Sequence, residues 1–228
     1  MTGTRQNAGK RGVGRPTRIT PAEISQAVLE IGTQHVTMRK VAERLGVSLP
    51  GLYHHVRNQD ELLELAARRA LEEQPPPSYA GQPWDAWLTI FARYIRSALA
   101  ADPALLPQML AGRLEIEGDV EYNAESVESL VAQGFLPEQA LSAWTAVSEL
   151  ALGSVVEARR EALRTADGLP WLARLHALLG RHPKASYEAM RSLASDRHDP
   201  YLDEQFERRL RMLLRGISLE SGVAPSQA

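Results

Sequence analysis

Between Leu49 and His55 the chain places a proline, a glycine, a tyrosine and two adjacent histidines, with no acidic residue among them. On a short helix, Leu52 and Val56 can turn inward while Leu49, Gly51, Tyr53, His54 and His55 face outward or partly outward. Such a face is odd for plain solvent contact and suits nucleic acid, because hydroxyl and imidazole groups can bond phosphate oxygens while small and apolar residues approach base edges. Each residue taken singly also has an ordinary structural reading: Tyr53 can pack on the preceding helix, and His55 can be a surface histidine. The two adjacent histidines are poor metal chelators, since successive side chains on a helix diverge by about 100°.

Other chemistry is missing. The chain has no cysteine, which excludes disulfides, thiolate metal sites, thiol nucleophiles and thiol redox sensing. Gly12-Val13-Gly14 lacks the third glycine and the preceding strand of a dinucleotide loop, and Ala8-Gly9-Lys10 is no Walker sequence. No nucleophile elbow or zinc-binding H-E-x-x-H helix is present. We therefore expect no enzyme, no catalytic residue, no metal and no cofactor.

The elements that must position the 49–55 segment are legible. Helices at about 38–45 and 49–55 are joined by only Gly46-Val47-Ser48, the spacing of a helix–turn–helix. Thr37 starts the first, Gly46 stops it as a left-handed residue, and Ser48 caps the second. Val41, Leu45, Val47, Leu52 and Val56 point inward, against an earlier helix whose stripe is Ile24, Ala27, Val28 and Ile31. That helix opens with Thr20-Pro21-Ala22-Glu23, a capping box with proline at the first helical position, and Gly32 ends it. Asn58 and Glu61 form another cap and box before a helix reaching about Glu73. Gln74 to Pro83, rich in proline, breaks the pattern. Beyond it lie helices at roughly 84–100, 103–112, 119–133, 137–164, 170–180, 184–195 and 200–215, the last ended by Gly216. The fold is all-α: a flexible basic arm (1–18), a helix–turn–helix domain (19–73) and a second helical domain (84–217).

Charge supports this division. The chain carries −2 overall across 228 residues, yet residues 1–60 hold nine Lys/Arg against four Asp/Glu, which is +5, and the remainder is −7. The longest uncharged run, Leu45 to Val56, is 12 residues, whereas a membrane span needs about 18 or more. With no secretory signal, the expected location is cytoplasmic and no membrane partner is expected.

Thr37-Met38-Arg39-Lys40-Val41-Ala42-Glu43-Arg44-Leu45-Gly46-Val47-Ser48-Leu49-Pro50-Gly51-Leu52-Tyr53-His54-His55-Val56, followed by Arg57-Asn58-Gln59-Asp60-Glu61-Leu62-Leu63, closely resembles the helix–turn–helix of the TetR family of repressors. Gln133-Gly134-Phe135, the stretch from Ala140 to Val147, the stretch from Leu152 to Glu157, and Phe206-Glu207-Arg208-Arg209-Leu210 resemble the core domain of that family's tetracycline-responsive branch. The resemblance implies a homodimer reading a palindromic operator in double-stranded DNA. It puts Thr37, Met38, Arg39, Leu49, Pro50, Gly51, Tyr53 and His55 at DNA-touching positions, and Ser48, His54 and Gln59 complete the candidate set. Arg39 suits a bidentate contact to guanine, Leu49 and Pro50 suit thymine methyls, and Thr37, Tyr53 and His55 suit phosphates. In the arm, Gly14-Arg15-Pro16 is similar to the minor-groove tripeptide of AT-hooks, although a basic tail more simply adds phosphate affinity.

The helix near 137–164 carries Ala140, Leu141, Ala143, Trp144, Val147, Leu150, Ala151 and Val155 nearly all round and should be buried on every side. The helix near 200–217 has the stripe Leu202, Phe206, Leu210, Leu213 and Ile217. The resemblance makes these two helices the dimer interface; their pattern alone also allows an intramolecular core. A small-molecule effector is implied as well, with Trp87, Phe91, Tyr94, Met109, Arg113, Tyr122, Trp144 and Glu157 as candidate pocket residues. Glu157 matches a carboxylate of the branch's metal–drug site. The magnesium-ligating histidine of that site falls near Met109, and its polar drug contacts fall on Phe91 and Ile95. A larger, more apolar or aromatic effector than a magnesium–tetracycline complex is therefore expected. The alternative reading is a ligand-independent regulator or an activator with the same DNA-binding domain.

Overall fold

The computed structural model describes residues 19–101, 105–112 and 119–226; the expected basic arm and Arg113 lie outside the described residues. Among the described residues there are eleven helices and no strand.

The first unit assembles from its caps. Helix α1 (Pro21–Ile31) opens with the expected box: the Thr20 N–H donates to the Glu23 carboxylate at 2.8 Å, and the Glu23 N–H donates to Thr20 Oγ1 at 3.2 Å. Helix α2 (Met38–Leu45) begins where Thr37 Oγ1 accepts the Lys40 N–H at 3.2 Å, and ends at Gly46 with φ 67°. Helix α3 (Leu49–Tyr53) starts where Ser48 Oγ accepts the Gly51 N–H at 3.1 Å. It is shorter than the expected 49–55. His54 and His55 form a tighter turn, their N–H groups bonding the carbonyls of Gly51 and Leu52 at 3.4 and 2.9 Å.

Before helix α4 (Gln59–Glu73), Asn58 Oδ1 caps the Glu61 N–H at 3.0 Å. The expected reciprocal half of that box does not form on Asn58. The Glu61 carboxylate reaches one residue further back, to the Arg57 N–H at 2.6 Å, where it also meets the Arg57 guanidinium. Val41, Leu52 and Val56 are buried with Ile24, Ala27, Val28 and Leu62, while Leu45 and Val47 are half-buried against them. Each fully buried aliphatic contributes about 1.5–3 kcal/mol, so this small core sets the α2–α3 geometry.

Gly46 makes a direct test. An added Cβ would meet nothing within 4 Å, so the cost of a side chain there is backbone strain alone. Gly46→Ala should lower unfolding stability by about 1–2 kcal/mol and Gly46→Asn by less, measured as denaturant midpoints. Equal stability of Gly46→Ala and the parent would contradict the left-handed stop.

The chain divides into two compact units between Ala66 and Ala67, inside α4 and not at the proline-rich stretch. In the second unit Ala67, near the middle of α4, packs with Leu99, Leu105, Leu106 and Val155. The unit continues with α5 (Trp84–Ala101), α6 (Leu105–Leu110), α7 (Asp119–Val131), α8 (Pro137–Ala166), α9 (Trp171–Gly180), α10 (Glu188–Ser195) and α11 (Asp203–Ser221). Its main core joins Trp87, Leu88 and Phe91 of α5 to Leu130 of α7, Trp144 and Val147 of α8, and Phe206 and Leu210 of α11.

Further boundaries also differ from the sequence reading. Helix α10 starts at Glu188 and not near 184, after Tyr187 at φ 60°. Helix α11 runs through Gly216 and stops at Gly222, φ 72°. An interior glycine costs about 1 kcal/mol, but Ile217 just beyond it packs on the main core and keeps the helix going.

Helix α8 is not buried on every side within one chain, since Leu141 is 56% exposed. On α11, Phe206 and Leu210 are buried, Leu213 and Ile217 half-buried, and Leu202 lies exposed just before the helix. Arg93 grips Glu207 with two bonds of 2.8 Å, and Arg96 lies 4.3 Å over the Phe206 ring while bonding Ser154 Oγ at 3.0 Å, which ties α11 to α5 and α8. No described helix is long and apolar enough to cross a membrane.

Candidate functional site

In the first unit, Thr37 and Arg39 at the start of α2 are exposed, as are Ser48, Leu49, Pro50, Tyr53, His54, His55 and Gln59 around α3 and the start of α4. Tyr53, at 50% exposure, does not pack away on the preceding helix. Met38 and Gly51 are only half-exposed, and Met38 rests against the unit's core. The Thr37 and Ser48 oxygens accept their cap bonds, so their hydroxyl hydrogens remain available to donate outward. Gly51 has a second reason to be glycine: a Cβ would sit 3.1 Å from Ser48 Oγ and press on the cap.

The folded cations are largely engaged. Arg39 Nε donates to Glu43 at 2.9 Å, Arg44 Nε to Glu30 at 2.8 Å, and Arg57 Nε to Glu61 at 3.3 Å. Lys40 Nζ donates to the His35 carbonyl at 2.7 Å. The bond to Glu43 raises the Arg39 pKa. Glu30 is held below the usual carboxylate range by Gln26 and then Arg44, and Glu61 by the Arg57 N–H. Residues 19–60 carry four Lys/Arg and four Asp/Glu, so their net charge is zero. The +5 of the first sixty residues therefore resides wholly in residues 1–18, with five cations and no acid. Glu43 was not singled out from the sequence, although its place four residues after Arg39 on one helix was the available signal.

In the second unit, Trp87, Phe91, Tyr122 and Trp144 come together, with Tyr94 packed alongside. Phe91 and Trp144 stack with ring centroids 3.8 Å apart, Trp87 lies 6.1 Å from Trp144, and Tyr122 meets Trp144 edge-on at 5.8 Å. Tyr79, from the connecting stretch, adds an edge contact to Trp87 at 5.9 Å; without helical periodicity around it, no sequence signal marked it.

The polar handles of this cluster are satisfied with one exception. Trp144 Nε1 donates to Asn123 at 2.8 Å, the Tyr122 hydroxyl to the Pro77 carbonyl at 3.0 Å, and the Tyr94 hydroxyl to the Gln74 carbonyl at 2.9 Å. Burial pushes the Tyr122 phenol up. Trp87 is fully buried, and its Nε1–H is the one buried side-chain polar atom among the described residues with no acceptor. Met109 and Glu157 do not join the rings: Met109 is exposed on α6, and Glu157 on α8 pairs with Arg160 at 2.7 Å. Among the described residues no three His, Asp or Glu side chains are grouped to hold a metal. A groove between α8 and α11 is lined by Phe135, Ser142, Ala146, Met212 and Ile217, with Met212 65% exposed.

Residues 27–73 match the family model described as bacterial regulatory proteins, tetR family. Over 149 residues the chain is 34% identical to the tetracycline repressor protein class A from transposon 1721 of Escherichia coli, covering 62% of this chain and 68% of that one. Among solved structures it resembles TetR from Acinetobacter baumannii AYE with TM-score 0.60 and 26% identity, over 88% of this chain and 95% of that one. It shares the fold of the Streptomyces coelicolor TetR family protein ActR, solved in complex with actinorhodin, with TM-score 0.69 and 22% identity over 90% and 98% of the two chains.

Proposed function

The chain belongs to the TetR family of DNA-binding transcriptional regulators, and from that premise we propose a dimeric repressor that holds a near-palindromic operator until a small molecule releases it. The observation that carries this reading is the exposed row from Thr37 and Arg39 across Ser48, Leu49, Pro50, Tyr53 and His55, set on a buried α2–α3 corner. Arg39 meets guanine in the major groove, Leu49 and Pro50 meet thymine methyls, and Tyr53, Thr37 and His55 hold phosphates. Half-site centres lie one helical turn apart, about 34–36 Å. Selection of bound duplexes from a random pool should return a palindrome with two short half-sites. Recovery of no sequence, with binding gone by about 200 mM salt, would leave only non-specific attraction and end this reading.

The dimer forms through α8 and α11, whose exposed Leu141 and Met212 support an apolar contact. Met212→Asp should shift the chain from dimer to monomer in light scattering at micromolar concentration. A stable monomer of the parent chain would sink the dimer.

The effector binds at the Trp87, Phe91, Tyr122 and Trp144 rings. The support is the buried, unpaired Trp87 N–H, because leaving such a donor empty costs about 1–3 kcal/mol that a ligand acceptor can recover. The effector is accordingly aromatic and carries an acceptor such as a carbonyl. Trp87→Phe keeps a ring and removes the donor. Once a compound library yields a ligand that raises the melting temperature, this variant should bind it roughly tenfold more weakly; unchanged affinity would move the site elsewhere.

A further inference from the structure

Resting on the reading that Arg39 meets guanine, we propose that Glu43 is a positioning residue that holds the Arg39 fork for one base and so sets operator specificity. The two side chains lie one turn apart on α2, and the Arg39 Nε–H donates to Glu43 Oε1 at 2.9 Å. A guanidinium has five N–H donors in a fixed plane, one on Nε and four on the two terminal nitrogens. Guanine O6 and N7 require a pair of parallel donors, which the terminal nitrogens can supply. Glu43 takes the Nε edge and leaves that terminal pair uncommitted among the described residues.

The neighbouring arginine of the same helix is arranged otherwise. Arg44 spends both Nε and Nη2 on Glu30 of α1, so its guanidinium is drawn back against α1 inside the unit. Arg39 is also 83% exposed along its side chain, so no packing restrains it. A long side chain without packing samples many rotamers, and the bond to Glu43 is what narrows them.

A second consideration gives the idea an opposite sign from its rival. Glu43 is an acid on a helix that faces DNA phosphates. If it were only a surface ion pair, removing it would tighten binding to every duplex alike, by lifting repulsion and freeing Arg39. If it positions Arg39, removing it weakens discrimination at one base while leaving or raising affinity for unrelated DNA.

The full chain, its selected operator, single-base operator variants and an unrelated duplex of equal length provide the test. Arg39→Ala first identifies the base pair that Arg39 reads. Glu43→Ala should then lose about tenfold of the preference at that base pair, with binding to the unrelated duplex equal or tighter. Glu43→Gln, which keeps an acceptor oxygen at the same reach, should retain most of the preference. In the Arg39→Ala background, Glu43→Ala should change no base preference. Uniformly tighter binding of Glu43→Ala to all duplexes with preference intact overturns the proposal. A chain that selects no operator overturns the operator reading and this proposal with it, whereas an Arg39→Ala variant that keeps every base preference overturns this proposal alone, because another residue then reads the operator.

Discussion

Arg39→Ala is expected to weaken binding to the selected operator by roughly 30-fold to 10⁴-fold, since a bidentate arginine–guanine pair is worth about 1–3 kcal/mol and a two-fold dimer makes it twice. The loss should be specific. The substitution removes a side chain that is 83% exposed and packs on nothing, so the fold and the dimer stay intact and the melting temperature barely moves. Affinity for an unrelated duplex should fall little, because the cation removed already sits on Glu43. Fluorescence anisotropy at one fixed salt concentration, on operator and unrelated duplex in parallel, separates the outcomes. Tyr53→Phe is the useful contrast: it removes one hydroxyl from an exposed ring, and if that hydroxyl meets a phosphate the loss is small and independent of sequence. Should Arg39→Ala weaken both duplexes equally, Arg39 would be a backbone contact and the guanine would be read by another residue.

Where local chemistry decides, the sequence was legible. Thr20, Glu23, Thr37, Gly46 and Ser48 each make the cap or stop that their types imply, because a cap is settled within four residues of chain. Where packing decides, it was not. Gly216 reads as a helix end, yet Ile217 has a core to reach and the helix continues. Glu61 reads as one half of a box with Asn58, and bonds the backbone of Arg57 because that side of the turn also offers a guanidinium.

The aromatic cluster divides in the same way. Trp87, Phe91 and Tyr94 share a face by helical spacing, and Trp144 lies on a helix expected to be buried, although its pattern does not say against which partner. Tyr79 comes from an aperiodic stretch and could be found only in three dimensions. Met109 and Glu157 rested on resemblance alone, with no spacing to tie them to the rings, and the fold keeps them out of the cluster. For Arg39 the helical spacing to Glu43 is visible in the sequence, but which nitrogen the carboxylate takes is a matter of geometry.

Deleting residues 1–18 should do more to DNA affinity than any single substitution in the folded unit, and leave base preference unchanged. Those residues hold five cations and no acid, whereas residues 19–60 sum to zero. Counterion release scales with the phosphates neutralised, at a slope of about 0.9 per contact in log–log plots of affinity against salt. Removing five cations from each chain of a dimer therefore strips away most of the salt dependence, up to about 4.5 units of slope per chain. Titrations from about 50 to 200 mM salt should show a steep line for the full chain and a shallow one for the truncated chain, converging at high salt. Equal slopes would place the phosphate contacts on Lys40, Arg44 and Arg57 after all, which would require their present bonds to His35, Glu30 and Glu61 to exchange for DNA. A truncated chain that keeps its slope but changes base preference would instead assign Arg15 of Gly14-Arg15-Pro16 to the minor groove. The expected result separates two tasks: a folded unit without net positive charge selects sequence, and a charged segment ahead of it supplies attraction that any duplex can satisfy.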